Sequence, residues 1–294
     1  MADMADAPPI GITGGTGLYE IPEMEIEEEV KLDTPFGDPS DVYIRGKLKG
    51  VPVIFQARHG RGHRITSPGV NYRGNIYGFK VLGVDTLISV AAVGSMKEKY
   101  HPTDIVIPDQ FYDHTKSREC SFFESSPAVH VDFADPVCPV ISGVLFESGK
   151  AVGAKVHTGG TYICIEGPAF STRAESNIYR SWGVDVIGMT AAPEAKLARE
   201  AEICYASLSL VTDYDVWKEK TADVTAGLIL ANMRTVAETA KEIIKEAVPR
   251  VKDDRDCACR NMLMYAIATD PDIISDEART TLEPILGKYI PPEK

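Results

Sequence analysis

Apolar residues along this chain fall into short runs that break off at glycine, aspartate or polar clusters, as strands buried in a sheet do. The runs predict strands at Pro9–Thr13, Val51–Ala57, Thr86–Val93, Asp104–Pro108, Thr161–Ile165, Val184–Met189 and Ile203–Thr212. Between them the period lengthens. Pro193–Ala201 reads as a short amphipathic helix with Ala195, Leu197, Ala198 and Ala201 on its apolar side. From Ala226 to Val248, the residues Ile229, Met233, Val236, Ala240, Ile243 and Ala247 recur at steps of four and three, which makes one apolar stripe. Pro249 ends that helix, because it has no N–H to continue the ladder. A weaker pattern predicts a helix around Asp276–Leu286. Strands alternating with helices define an α/β fold with a mainly parallel sheet, in which ligands gather beyond the carboxyl ends of the strands.

Composition narrows the class of function. The chain has 294 residues and a formal net charge of −12, so it lacks the positive field that a nucleic-acid partner needs. A small anionic ligand is still open to it, because a few local donors suffice. No apolar run approaches the roughly 18 residues of a membrane span. Met1–Pro9 lacks the basic and apolar regions of a signal peptide, so the expected compartment is the cytoplasm. No linker, composition break or repeat divides the chain, and one domain over 1–294 is expected, with a flexible stretch at 1–8 and a less regular extension at 251–294. The six cysteines, at 120, 138, 164, 204, 257 and 259, do not have the spacing of a zinc module and read as reduced, partly buried thiols. Cys257-Ala258-Cys259 is the exception, a pair close enough to form a small strained disulfide.

The unusual polar residues sit at strand ends. Gly14-Gly15-Thr16-Gly17 follows the first strand, where glycine N–H groups and the Thr16 hydroxyl can cradle an anion. A tight structural turn explains the segment equally well, and a dinucleotide site is disfavoured because G-x-G-x-x-G spacing is missing. Arg58-His59-Gly60-Arg61-Gly62-His63 is a cationic loop delivered by an apolar strand, and Arg58 could grip phosphate in bidentate fashion. His59 and His63 find no third ligand at metal spacing, so no metal is assigned. Ala91-Ala92-Val93-Gly94 leaves room for something flat or anionic, or for close packing. Glu166 closes an apolar run and needs a partner, and Phe170 is placed to stack on a planar ring. Asp213-Tyr214-Asp215 sets two carboxylates at i and i+2, on one side of an extended backbone, where each raises the other's apparent pKa. Such a pair can read a purine edge; a solvated loop or a helix N-cap before Trp217 is the plainer alternative.

Together these segments resemble the purine nucleoside phosphorylase family and, within it, the methylthioadenosine branch. The matching pieces are GITGGTGLY at 11–19, DTPFGDPSD at 33–41, ARHGRGH at 57–63, NYRGNIYGFK at 71–80, AAVGSM at 91–96, IEGPAFSTRAES at 165–176, IGMTAAPEAKLARE at 187–200 and TDYDVW at 212–217. They stand in family order and cover about residues 9 to 250. The resemblance implies a single-domain phosphorylase fold, a mixed sheet distorted toward a barrel and surrounded by helices. It also implies a homotrimer, or a hexamer as in some archaeal members, whose C-terminal C-x-C pair Cys257 and Cys259 resemble. It implies a phosphate site of Thr16, Arg58, the His59 N–H, the Ala91–Ala92 backbone and Thr190. Ile165 and Phe170 would flank the base and Met189 the ribose. Asp213 and Asp215 would be the catalytic pair on purine N7 and the 6-amino group, with Tyr214 between them. His63, and His130 of a neighbouring subunit, would lie near the 5' substituent, while Ser171 and Ala226 would tune substrate choice.

One departure concerns Ala91, where the family usually carries Ser, Thr or Asn against phosphate. A lost hydrogen bond to a charged group weakens binding by about 1.5–3 kcal/mol. Ala226 stands where the human-type enzyme has a bulkier Val, which implies a roomier 5' pocket. The implied reaction is phosphorolysis of 5'-methylthioadenosine to adenine and 5-methylthioribose 1-phosphate, with phosphate as co-substrate and no cofactor. The alternatives are a 6-oxopurine or methylthioinosine phosphorylase, a binding protein that has lost turnover, and an NAD-dependent oxidoreductase suggested only by the glycine-rich start.

Overall fold

The computed structural model describes residues 7–290 apart from 16, 19–20, 125 and 219–225, and only the backbone of 226–230. The strands are β1 (Ile10–Gly14), β2 (Met24–Val30), β3 (Tyr43–Leu48), β4 (Val51–Ala57), β5 (Thr86–Ser95), β6 (Ile105–Ile107), β7 (Gln110–His114), β8 (Val156–Thr158), β9 (Thr161–Ile165), β10 (Val186–Gly188) and β11 (Cys204–Asp213). The helices are α1 (Tyr72–Val81), α2 (Pro139–Ala151), α3 (Arg173–Ser181), α4 (Ala191–Glu200), α5 (Ala226–Ala247), α6 (Asp276–Thr281) and α7 (Glu283–Leu286). The strands form one mixed sheet in the order β2-β3-β4-β1-β5-β10-β9-β7, with β11, β6 and β8 branching from β5. β5 is the axis: β1 and β11 run parallel to it, and β10 runs antiparallel to its last two residues. The sheet forks at β5 and, among the described residues, does not close into a barrel.

Each predicted strand is present, because each is a buried apolar run. β11 is buried through its first nine residues and β1 throughout. The stripe on α5 packs as its period requires, with Val236, Ala240, Ile243 and Ala247 fully buried in the largest core cluster. That helix ends at Ala247 and passes into a short 3-10 turn through Pro249. The helix expected at Asp276–Leu286 is two short ones, broken at Leu282.

Four strands and three helices went unpredicted, for local reasons. β2 reads Met-Glu-Ile-Glu-Glu-Glu-Val and is mostly exposed; it is an edge strand, and its pairing is reinforced by Glu28–Arg45 at 3.0 Å and Glu27–Lys47 at 3.1 Å on β3. α1 carries Gly74 and Gly78, which weaken a helix in isolation. Here a Cβ on Gly78 would fall 2.1 Å from the Tyr43 hydroxyl, so glycine is what lets α1 lie against β3.

Candidate active site

A cavity of about 340 Å³ opens over the carboxyl ends of β1, β4, β9, β10 and β11 and against the second half of β5. Gly15, Arg58, Ala91 to Gly94, Ile165, Gly188 and Asp213 all line it, so the strand-end residues singled out in the sequence converge on one space. Its two ends differ in chemistry.

One end offers hydrogen-bond donors. Thr190 is the N-cap of α4, yet its hydroxyl makes no capping bond and, although buried, has no hydrogen-bond partner among the described residues. It and the positive end of the helix dipole therefore face the cavity beside Gly15, His59, Ala91 and Ala92. Arg58 lines this end but does not present the expected fork. Its side chain is 1% exposed. Nε and Nη2 donate to the Glu194 carboxylate, Nη2 also donates to Ser89 Oγ at 2.8 Å, and Nη1 donates to the Val90 carbonyl at 2.9 Å. Of the five guanidinium N–H groups, this leaves one, on Nη1, for a ligand. The bidentate grip read from the sequence is corrected to a single donor, because a buried guanidinium needs its own carboxylate.

His59 is also buried. Its Nδ1 lies 2.9 Å from the Ile65 carbonyl, which makes Nδ1 the protonated nitrogen, and its ring stacks on His63 at 4.4 Å between centroids. Burial first, and the Arg58 charge second, lower its pKa from 6.5 to about 4, so the ring is neutral at pH 7. Between those two values the unfolded chain holds a proton that the folded chain does not. Stability therefore falls as pH drops from about 6.5 toward 4 and is untouched by this group above that window. The loss at the acid end is expected to reach about 3 kcal/mol. Urea titrations of wild type and His59→Asn at pH 7.5 and pH 5 check it: the variant should lose less stability on acidification.

The other end holds two carboxylates. Asp213 ends β11 at a bulge, where its Oδ2 accepts from Thr212 Oγ1 and its Oδ1 accepts from the Asp215 N–H, both at 2.7 Å. Asp215 does not continue the strand. It sits at φ 52°, in the left-handed region that aspartate tolerates, and its Oδ2 accepts from Ser176 Oγ on α3. The expectation of an extended i, i+2 pair is thus corrected: a turn, closed by that N–H bond, brings both side chains to the cavity. Burial is the main reason that both pKa values lie above the ordinary aspartate value. The Asp213 charge adds only a smaller push on Asp215.

Tyr214, expected beside the substrate, is turned away. It is buried among Met96, Ile165, Tyr179 and Trp217, outside the cavity lining. Its place is structural: with Trp217, whose Nε1 donates to the Ser95 carbonyl at 2.7 Å, it anchors the aspartate turn to β5. Ile165, Met189, Ser171 and His63 line the cavity, and Phe170 stands at its mouth, 71% exposed. His130 is exposed and lies outside this chain's cavity. Thr16 lies outside the described residues, as does the side chain of Ala226. Glu166 has its partners, accepting from Arg118 Nε at 2.9 Å and the Lys116 N–H at 2.6 Å.

Three supporting residues escaped the sequence reading. Glu194 carried a signal, a carboxylate on the same helix face as Ala191, Ala195 and Ala198, and in the structure it is 3% exposed. It also accepts from Ser89 Oγ at 2.7 Å and Tyr205 Oη at 3.1 Å. Ser89 and Ser176 carried none, since isolated serines in a strand and a helix are common.

The cavity thus brings the N-terminus of α4 and a buried carboxylate pair together on one forked mixed sheet, and comparison with known proteins places this arrangement among the nucleoside phosphorylases. The sequence profile of the phosphorylase superfamily matches residues 9–249. An S-methyl-5'-thioadenosine phosphorylase of Geobacter sulfurreducens is 52% identical over 96% of this chain and 99% of its own length. One of Koribacter versatilis is 50% identical over 97% and 98%. Among solved structures, a methylthioadenosine phosphorylase from an antarctic soil metagenomic library superposes with a TM-score of 0.91 at 44% identity, covering 96% of this chain and 99% of that one. The Schistosoma mansoni methylthioadenosine phosphorylase, in complex with adenine, gives 0.85 at 32% identity, covering 89% and 99%. The chain belongs to the methylthioadenosine phosphorylase family of the phosphorylase superfamily.

Proposed function

We propose that this chain catalyses phosphorolysis of 5'-methylthioadenosine to adenine and 5-methylthioribose 1-phosphate. The observation that carries the reading is the single cavity joining the α4 N-terminus to the Asp213–Asp215 turn. A phosphate oxygen forms the new bond to ribose C1' while the C1'–N9 bond breaks. Positive charge grows on the ribose beside the phosphate, and negative charge grows on the leaving adenine. Thr190, the backbone N–H of His59, the one open Arg58 donor and the Ala91–Ala92 backbone would hold the phosphate, with Thr16. Asp213 would meet the purine at N7 and Asp215 would accept from its 6-amino group, while Ile165, Phe170 and Met189 enclose base and ribose. Ser171, Ala226, His63 and a neighbour's His130 would bear on substrate choice. The scheme needs no metal or organic cofactor. A homotrimer, or a hexamer of two trimers, in the cytoplasm completes the reading.

The test is adenine release from methylthioadenosine with and without phosphate, run beside adenosine and methylthioinosine. Phosphate-dependent release that favours methylthioadenosine is expected. Preference for the 6-oxopurine would establish the runner-up, which the carboxylate at Asp215 disfavours because it repels a 6-oxo group. Ala91→Ser returns a hydroxyl to the anion end, and the KM for phosphate should fall about tenfold. An unchanged or higher KM would show that position 91 does not reach the anion.

A further inference from the structure

Four of the six cysteines, scattered when read by spacing, meet in space. The sulfurs of Cys138, Cys204, Cys257 and Cys259 all lie within 4.8 Å of one another, with Cys204 and Cys257 at 3.6 Å. None is bonded to another, so the Cys257–Cys259 disulfide considered from the sequence is not the arrangement found. Three of the four are buried and the fourth is half-buried. Four converging thiols match a tetrahedral zinc site, in which Zn–S bonds of about 2.3 Å hold the sulfurs about 3.8 Å apart.

The surroundings suit that charge. A zinc tetrathiolate carries a net −2, and it needs a nearby cation and N–H donors. Arg255, with its side chain 4% exposed, interacts electrostatically with Cys204. Its Nε–H is buried without a hydrogen-bond partner among the described residues, while Nη2 is held by Asp85 Oδ1 at 2.9 Å. Cys138 is the N-cap residue of α2, where the helix dipole favours a thiolate, and its side chain makes no capping bond.

We propose that Cys138, Cys204, Cys257 and Cys259 form a closed tetrathiolate site for one zinc ion, which staples the C-terminal segment to the core. Binding displaces the thiol protons to solvent and oxidises nothing. Cys204 opens β11 and Asp213 ends it, so the site stands about 30 Å along the strand from the catalytic turn. Its role is structural, independent of the phosphorolysis reading.

The experiment uses the full chain, purified under reducing conditions without chelator and supplied with zinc. Elemental analysis should give one zinc per chain after dialysis. Cobalt loaded in its place should show the visible bands of tetrahedral sulfur coordination. Mercurial titration of the thiols should release the ion stoichiometrically. Cys257→Ala, at the half-buried ligand, should lose stoichiometric zinc, and Cys204→Ser serves as a second variant if the first folds poorly. A zinc-supplied wild type that retains no metal overturns the site. So does an intact mass short of one or two pairs of hydrogens, which would mean disulfides, or a Cys257→Ala protein that still holds one tightly bound zinc.

Discussion

Asp213→Asn should lower kcat for methylthioadenosine by about 10²–10⁴-fold, the span typical of a lost general acid. The substitution keeps the shape of the side chain and a hydrogen-bond donor, but it cannot deliver a proton to the departing base. Burial raises the Asp213 pKa, so the native carboxyl holds a proton more readily than an exposed aspartate would. The KM for phosphate should stay within about threefold, because the residue stands at the opposite end of the cavity from the proposed anion site. Asp215→Asn should act differently. Its side chain accepts from Ser176 Oγ, and in the proposed pose it accepts from the 6-amino group rather than serving the leaving bond. Its kcat loss should stay below about tenfold, while preference for 6-amino over 6-oxo purines shrinks by about 10–100-fold. Steady-state kinetics of both variants on methylthioadenosine and methylthioinosine separate the two roles. Equal, small losses would sink the division of labour.

Much of the site was legible because this fold delivers its chemistry on buried strands. A mostly apolar strand of seven that ends at Ala57 just before Arg58, or a buried stretch of nine that ends at Thr212 just before Asp213, states both the element and the point where it reaches the cavity. What the chain did not disclose depends on partners distant in sequence. β2 is a strand because Arg45 and Lys47 stand opposite its glutamates, not because its own pattern alternates. α1 tolerates its glycines because Tyr43 needs the space at Gly78, and Asn71 and the Gly37 carbonyl need it at Gly74. The cysteines at 138, 204, 257 and 259 meet only after β11, α2 and the C-terminal segment have packed. The aspartate pair does line the cavity, but a left-handed residue at 215, rather than strand periodicity, turns it there. Arg58 was misjudged in its reach for the same cause: its carboxylate lies 136 residues away.

That buried pair makes the last strong prediction. Glu194→Ala should destabilise the fold by about 3–5 kcal/mol, measured as the shift in a urea transition, because it leaves a guanidinium in the core without its counter-charge. Arg58 is 1% exposed and Glu194 3%, so water cannot take the place of the missing partner. Ser89 and Tyr205 would lose their acceptor as well. The same variant should also raise the KM for phosphate, since an Arg58 freed from Nε to Nη2 no longer holds its remaining Nη1–H toward the anion. The double variant Arg58→Met with Glu194→Leu removes both charges together. It should recover at least about half of the lost stability, since a matched apolar pair of similar size is tolerated where a lone charge is not. It should not recover phosphate binding. A single variant that costs less than about 1 kcal/mol would mean that Arg58 finds another partner, and that the coupling between the α4 carboxylate and the anion site is not what positions it.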